Sequence, residues 1–256
     1  MNNQDVGAID RASVRGDNLT VVAALAEPKR RAVYEYVADS GGWVSRDQAA
    51  DGVGLERPTA AHHLDRLVTA GLLEIEYRRL SNRSGPGAGR PSKLYRRAAR
   101  DFGVSFPPRD YELAGQLLAA AVATAQHGGE DVAVAVERAA TGEGERFAED
   151  MRARLADPAG NPDADAHHDI AAGDERLQVG LEVLTEHGFE PHRADPDTVV
   201  LRNCPFHQLV ANHPDLVCNM NLCLLRAAFN GLGGTGYAAT FEPGDGLCCV
   251  KLRRET

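Results

Sequence analysis

Residues 57–71 read RPTAAHHLDRLVTAG, and this stretch decides how the first hundred residues are understood. Pro58 stands in the first turn and Gly71 just past the last, the terminal asymmetry expected of a helix. Ala60, Ala61, Leu64, Leu67 and Val68 recur at helical spacing and face inward, which leaves Thr59, His62, His63 and Arg66 on the opposite side. Upstream, Pro28 opens a helix over 29–39 with Ala32, Val33, Tyr36 and Val37 on one face. Ser45 then caps a short helix that ends at Gly52, with Gln48 three residues on as in a capping box, and 53–55 form a tight turn. Two helices joined by a glycine-containing turn, the second with a polar, cationic outer face, describe a helix-turn-helix.

The segment after that helix adds a second element. Residues 72–77 alternate like a strand, residues 78–91 are too rich in Gly and Pro to be regular, and Ser92–Arg96 return as a second strand. Strand, basic glycine-rich loop and strand after such a helix form a wing. Arg78, Arg79, Arg83, Arg90, Lys93, Arg96 and Arg97 give it the charge to hold phosphates. The expected partner is double-stranded DNA. Arg57, Thr59, His62, His63 and Arg66 are expected on the reading helix, and Arg90 and Lys93 on the backbone or in a minor groove.

The formal net charge of −9 conceals this polarity. Residues 1–100 hold 16 Lys+Arg against 12 Asp+Glu, a balance of +4, whereas the remainder holds 12 against 25, a balance of −13. A basic module joined to an acidic one is expected. No apolar run reaches the length of a membrane span, and the polar start Met1-Asn2-Asn3-Gln4-Asp5 lacks a signal-peptide pattern, so the chain reads as cytoplasmic and without a membrane partner.

The rest of the chain sorts into further regions. Residues 1–17 lack periodicity and read as a disordered N-terminus, with the winged domain over 18–100. Over 108–156 three alanine-rich amphipathic helices are expected, near 110–126, 130–140 and 143–155. Tyr111, Ala114, Leu117, Leu118, Ala121, Val122 and Ala125 form the stripe of the first. A homodimer interface is their expected use, since a two-fold reader of a palindromic operator needs one. Residues 157–173, with Pro158, Gly160 and Pro162 among alternating Asp and Ala, read as a linker. A helix over 174–187, a hairpin over 189–202, helices near 206–212 and 215–232, and strands at 237–242 and 247–253 complete a small domain over 174–254. The fold class is α+β.

All five cysteines, Cys204, Cys218, Cys223, Cys248 and Cys249, fall in that last domain, separated by 13, 4, 24 and 0 residues. No pair has the two-residue gap of a zinc knuckle or thioredoxin motif, and the odd count argues against a disulfide framework. Thiols converging from several elements suit a soft ligand, an iron–sulfur cluster or zinc; the bland alternative is reduced cysteines packing as small hydrophobes. Cys223 lies about 140° round the helix from Cys218 and is expected in the core. Cys248 and Cys249, adjacent on a strand, are expected to face opposite ways unless the strand is bulged. No phosphate loop, nucleophile elbow or paired-carboxylate motif stands out, so an enzyme is not expected.

The 57–73 segment and the Gly89-Arg90-Pro91-Ser92-Lys93-Leu94-Tyr95 hairpin make residues 18–98 resemble a winged helix-turn-helix of the ArsR-like class. The block from Asn203 to Leu252 resembles the C-terminal part of the same regulator family, which includes the SufR-type repressors of iron–sulfur assembly genes. The resemblance implies a dimeric transcriptional repressor, a redox sensor holding a [4Fe–4S] cluster on Cys204, Cys218 and Cys248. The fourth ligand is open among Cys249, Cys223, His207 and His213, with Cys249 placed in the set. A regulator with zinc or no metal, sensing a small molecule, is the alternative.

Overall fold

The computed structural model describes residues 11–78, 91–156 and 172–255. They divide into two compact units, one ending at Val104 and the other beginning at Ser105.

In the first unit, α1 (Arg11–Leu25) leads into α2 (Pro28–Asp39), β1 (Val44–Ser45), α3 (Arg46–Val53), α4 (Arg57–Thr69), β2 (Leu73–Arg78) and β3 (Ser92–Arg97). The helix over residues 11–17 corrects the reading of that stretch as disordered. Extending a helix already anchored by Val21 and Ala24 in the core adds a hydrogen bond per residue fixed. Glu27 caps α2 by accepting from the backbone N–H groups of Lys29 and Arg30, and Ser45 with Gln48 forms a complete capping box on α3. α3 runs one residue beyond Gly52 and is closed by Gly54 at φ 66°. Gly52 instead permits a close approach. A Cβ there would stand 2.1 Å from the Tyr36 ring, so the glycine lets α3 lie against α2. Val33, Val37, Ala49, Leu64, Leu67 and Tyr95 are fully or almost fully buried in the unit's core. β3 is central in a three-stranded antiparallel sheet ordered β1-β3-β2, with Leu73 opposite Arg97 and Arg78 opposite Ser92.

The second unit contains α5 (Tyr111–Gly128), α6 (Val132–Ala156), α7 (Ala172–Glu186), β4 (Pro191–Asp195), β5 (Thr198–Leu201), α8 (His207–Asn212), α9 (Pro214–Leu232), β6 (Tyr237–Phe241) and β7 (Val250–Arg254). The strands form an antiparallel sheet ordered β4-β5-β7-β6. The region over 108–156 holds two helices rather than three, because α6 passes unbroken through Gly142 and Gly144. At Gly144 it presses on α9: a Cβ would meet the Leu224 carbonyl oxygen at 2.1 Å. Tertiary packing here overrides the low helix propensity of glycine.

The buried positions of α5 (Leu113, Ala114, Leu117 and Ala121) share one hydrophobic cluster with α6, α9 and the sheet. The helical region and the cysteine-bearing region are therefore one body with one core. Leu117, expected in an interface seam, is an internal core residue. α7 begins at Ala172, inside the expected 157–173 linker, whose residues 157–171 lie outside the described residues.

Candidate functional site

On α4 of the first unit, Arg57, His62, Asp65 and Arg66 are exposed and Thr59 is half-buried. Arg66 has no ion pair or hydrogen-bond partner for its side chain among the described residues, so its guanidinium is free. Arg57 is exposed but its Nε lies 2.7 Å from Asp47 Oδ1. His63 corrects the expected polar face: it is only 8% exposed, with Nδ1 3.5 Å from Glu27 Oε2. Burial holds its pKa below the ordinary histidine value although the Glu27 carboxylate opposes this. Its position, three residues from Ala60 and one from Leu64, sits at the margin of the apolar stripe, where the α2 cap covers it.

Lys93 is paired within the unit. Its ammonium lies 2.5 Å from Asp65 Oδ1, inside the unit, and its side chain is only 18% exposed. Tyr95 Oη donates to the same carboxylate at 3.3 Å, and Arg46 Nε donates to Tyr95 Oη at 2.9 Å. Asp65, Tyr95, Arg46 and Lys93 thus bolt the outer face of α4 to β3. This group was missed in the sequence, because nothing in the spacing of Arg46, Asp65 and Tyr95 announces that three elements meet there. On the wing strands Arg78 pairs with Glu76, and Arg96 pairs with Glu74 while stacking 4.7 Å over the Trp43 ring. Arg90, with Arg79 and Arg83, lies outside the described residues.

The second unit gathers four of its five cysteines. Cys204 follows β5, Cys218 occupies the second turn of α9, and Cys248 and Cys249 immediately precede β7. All four are at most 9% exposed. Cys248 and Cys249 are not on a strand, which removes the expectation of opposite faces. They lie on a bend after Gly246, pinned where Cys248 N donates to Leu201 O and Glu242 N donates to Cys249 O, each at 2.8 Å. Cys204 and Cys248, Cys248 and Cys249, and Cys249 and Cys218 are near enough to shift one another's protonation. The Cys204 thiol is pushed strongly upward by its bond to Cys248 and by burial. Cys248 is drawn down by Cys204, but Cys249 and burial outweigh this and push it up to about 12. Burial raises Cys218 as well, against its bond to Cys249.

Cys223 stands apart, half-buried on another face of α9, and His207 and His213 are exposed. The donor chemistry suits a soft metal: four sulfurs, buried, with no carboxylate among them. Among the described residues, no group of three or more His, Cys, Asp or Glu has the arrangement of a metal site.

Two polar residues missed in the sequence serve this cluster. Asn221, three residues after Cys218 on α9, is fully buried and donates from Nδ2 to Cys248 Sγ at 3.2 Å. Arg109 donates from Nη1 to Asn203 Oδ1 and to the Cys204 carbonyl at 3.2 Å. Asn203, 6% exposed, donates from Nδ2 to Pro108 O at 2.8 Å and Gly188 O at 2.5 Å. Asp110, the cap of α5, accepts from Leu113 N and lies 3.4 Å from His187 Nδ1, while its own N–H donates to Pro205 O at 3.2 Å. Residues 108–110 are thereby tied to the loop that carries Cys204.

Residues 25–76 match a family described as a helix-turn-helix domain. The match runs from the end of α1 into β2, so β3, Lys93 and the second unit lie beyond it. No curated protein matches the chain. No described helix is long and apolar enough to cross a membrane. The matched domain, with its exposed Arg66 and His62, supports a DNA-binding regulator of transcription.

Proposed function

We propose that the chain is a transcriptional repressor of the ArsR-like, SufR-type kind. In this reading it is a homodimer on a palindromic operator whose DNA binding responds to a [4Fe–4S] cluster on Cys204, Cys218, Cys248 and Cys249. The observation that carries the reading is the convergence of those four thiols, from three separate places in the chain, into one buried group that leaves Cys223 outside. Core cysteines acting only as small hydrophobes have no reason to seek one another's sulfur atoms. The cluster, when bound, would supply an oxidant-sensitive redox centre. The chain's own residues would do the rest: thiols release their protons to solvent as their sulfurs bind, Asn221 donates to one sulfur, and Arg109 and Asn203 fasten the Cys204 loop to the entry of α5.

Zinc is the second reading, because buried cysteine sulfurs without a carboxylate among them are also the donor type of a structural zinc site. Anaerobic purification decides between them. A brown protein with bound iron and sulfide, lost on replacing Cys204, Cys218 or Cys248 by Ser and retained in Cys223→Ser, supports the cluster. A colourless protein with stoichiometric zinc supports the second reading. Wild type that takes up neither metal overturns both.

A further inference from the structure

We infer that Asp65 is a specificity-determining residue of the reading helix, whose Oδ2 accepts a hydrogen bond from the exocyclic amino group of a cytosine in the major groove. This rests on the DNA-binding part of the reading above and is independent of what the cysteines hold. At about 100° per residue, His62, Asp65, Arg66 and Thr69 fall within an arc of about 100° on α4, and all four are exposed. A carboxylate on such a ridge would ordinarily be repelled by the phosphates of a duplex. Here two cations offset its charge: Lys93 Nζ lies 2.5 Å and Arg46 Nη2 3.9 Å from Oδ1. The Tyr95 hydroxyl donates to that same oxygen at 3.3 Å. All three partners converge on Oδ1. Oδ2 has no hydrogen-bond or ion-pair partner among the described residues, and the side chain is still 50% exposed. A group built only to brace α4 against β3 has no reason to keep one acceptor and half its surface open.

The chemistry of the bases selects the partner. Burial raises the Asp65 pKa, but the Lys93 bond and the Lys93 and Arg46 charges outweigh it, so at neutral pH the group is ionised and only accepts. In the major groove guanine and thymine offer acceptors, and adenine sets an acceptor, N7, beside its amino group. Cytosine alone offers an amino donor with no acceptor beside it. An acceptor-only side chain therefore meets an atom of its own polarity at every base but cytosine. Arg66, the next residue, is its complement, a free guanidinium that only donates and suits guanine. Lys93 and Arg46 act as positioning residues: they fix the Asp65 carboxylate from β3 and α3 and offset its charge, so that an anion can enter an anionic groove.

The test is selection from a pool of randomised duplexes by the full chain, wild type and two variants, followed by affinities on the enriched sites. Wild type should enrich a site with a fixed cytosine. Asp65→Ala should lose about five- to 150-fold of the discrimination at that one position. Asp65→Asn, which donates as well as accepts, should move the preference there from cytosine to adenine, whose N6 and N7 suit an amide. A merely bracing aspartate would lower affinity for all duplexes alike; base preferences unchanged in both variants overturn the inference. Wild type that enriches no sequence sinks the DNA-binding reading itself. Should the variants fail to fold, wild type on sites carrying N4-methylcytosine carries the test, because that base keeps its pairing hydrogen and blocks the outward one. Affinity should fall at the cytosine that Asp65 reads, and equal affinity whichever cytosine is methylated overturns the inference.

Discussion

Gly144→Ala and Gly142→Ala, two residues apart on α6, should move stability in opposite directions. A Cβ at 144 would stand 2.1 Å from the Leu224 carbonyl oxygen, 2.7 Å from Ala227 Cβ and 3.0 Å from Ala228 N. Two of those three atoms are α9 backbone, so no rotamer change relieves the clash and the helices must part. Alanine gains about 0.8–1.0 kcal/mol over glycine in a helix interior. Overpacking a close contact costs about 1–3 kcal/mol or more, and a backbone contact belongs at the upper end. The net expectation is a loss of about 2 kcal/mol, or about 4–8 °C in Tm for a body of this size. At Gly142 nothing lies within 4 Å, so only the propensity gain remains, about 0.5–1 kcal/mol of added stability. The assay is urea unfolding followed by two signals. Trp43, the single tryptophan, reports the first unit by fluorescence, and far-UV circular dichroism reports the helices of both. Only the circular dichroism transition should move. If Gly144→Ala matches Gly142→Ala, the close seating of α6 on the helix that carries Cys218 and Asn221 is wrong.

Asp65→Asn should cost about 0.5–1 kcal/mol at pH 7, the range of a partly exposed ion pair. Burial raises the Asp65 pKa, but the Lys93 bond, with Lys93 and Arg46 charges and the Tyr95 hydroxyl, outweighs it and holds the pKa below the usual value. A depressed carboxylate contributes above its unfolded value of about 3.9 and loses that contribution as pH falls through the folded value. The difference between wild type and Asp65→Asn in urea melts should therefore narrow progressively as pH falls below about 3.9; a gap that stays constant into the acid range would refute the pairing. Arg66→Ala should reduce discrimination between operator and random duplex by about 1–3 kcal/mol if its free guanidinium reads a base. Competition binding that shows a uniform loss on both duplexes would instead make Arg66 a phosphate contact.

The first unit was largely legible because its signals are local. The Ser45–Gln48 box, Pro28, Pro58 and the alternating strand all specify backbone within a few residues, and each is found where its residues stand. His63 was misplaced, and the Lys93–Asp65 pair not foreseen, for a non-local reason. A polar residue at the edge of a helical stripe, or in a basic wing, turns inward when another element offers it a carboxylate, and Glu27 and Asp65 do so from 36 and 28 residues away. In the second unit the apolar stripe of α5 was correctly seen but its partner was not. A stripe states that something covers it, not how much of the cover is a second chain: Leu113, Ala114, Leu117 and Ala121 pack in this chain's own core beside α6, and Val122 of the same stripe stays exposed. The four gathered cysteines were named, yet Asn221 and Arg109 were invisible, because a single Asn in an apolar helix and a single Arg before a cap carry no spacing to read.

Residues 105–110, through which the chain enters the second unit, are bonded to the loop that carries Cys204. That segment is not a slack tether. Arg109 N–H donates to Ser105 Oγ at 2.8 Å, its guanidinium holds the Asn203 amide and the Cys204 carbonyl, and Asp110 caps α5 while bonding to Pro205. Hydrogen bonds involving a charged group contribute about 1.5–3 kcal/mol each, and allosteric couplings are typically about 1–3 kcal/mol. Gaining or losing one such bond is thus enough to carry a regulatory signal. The Cys204 loop grips this segment directly, through the Cys204 and Pro205 carbonyls.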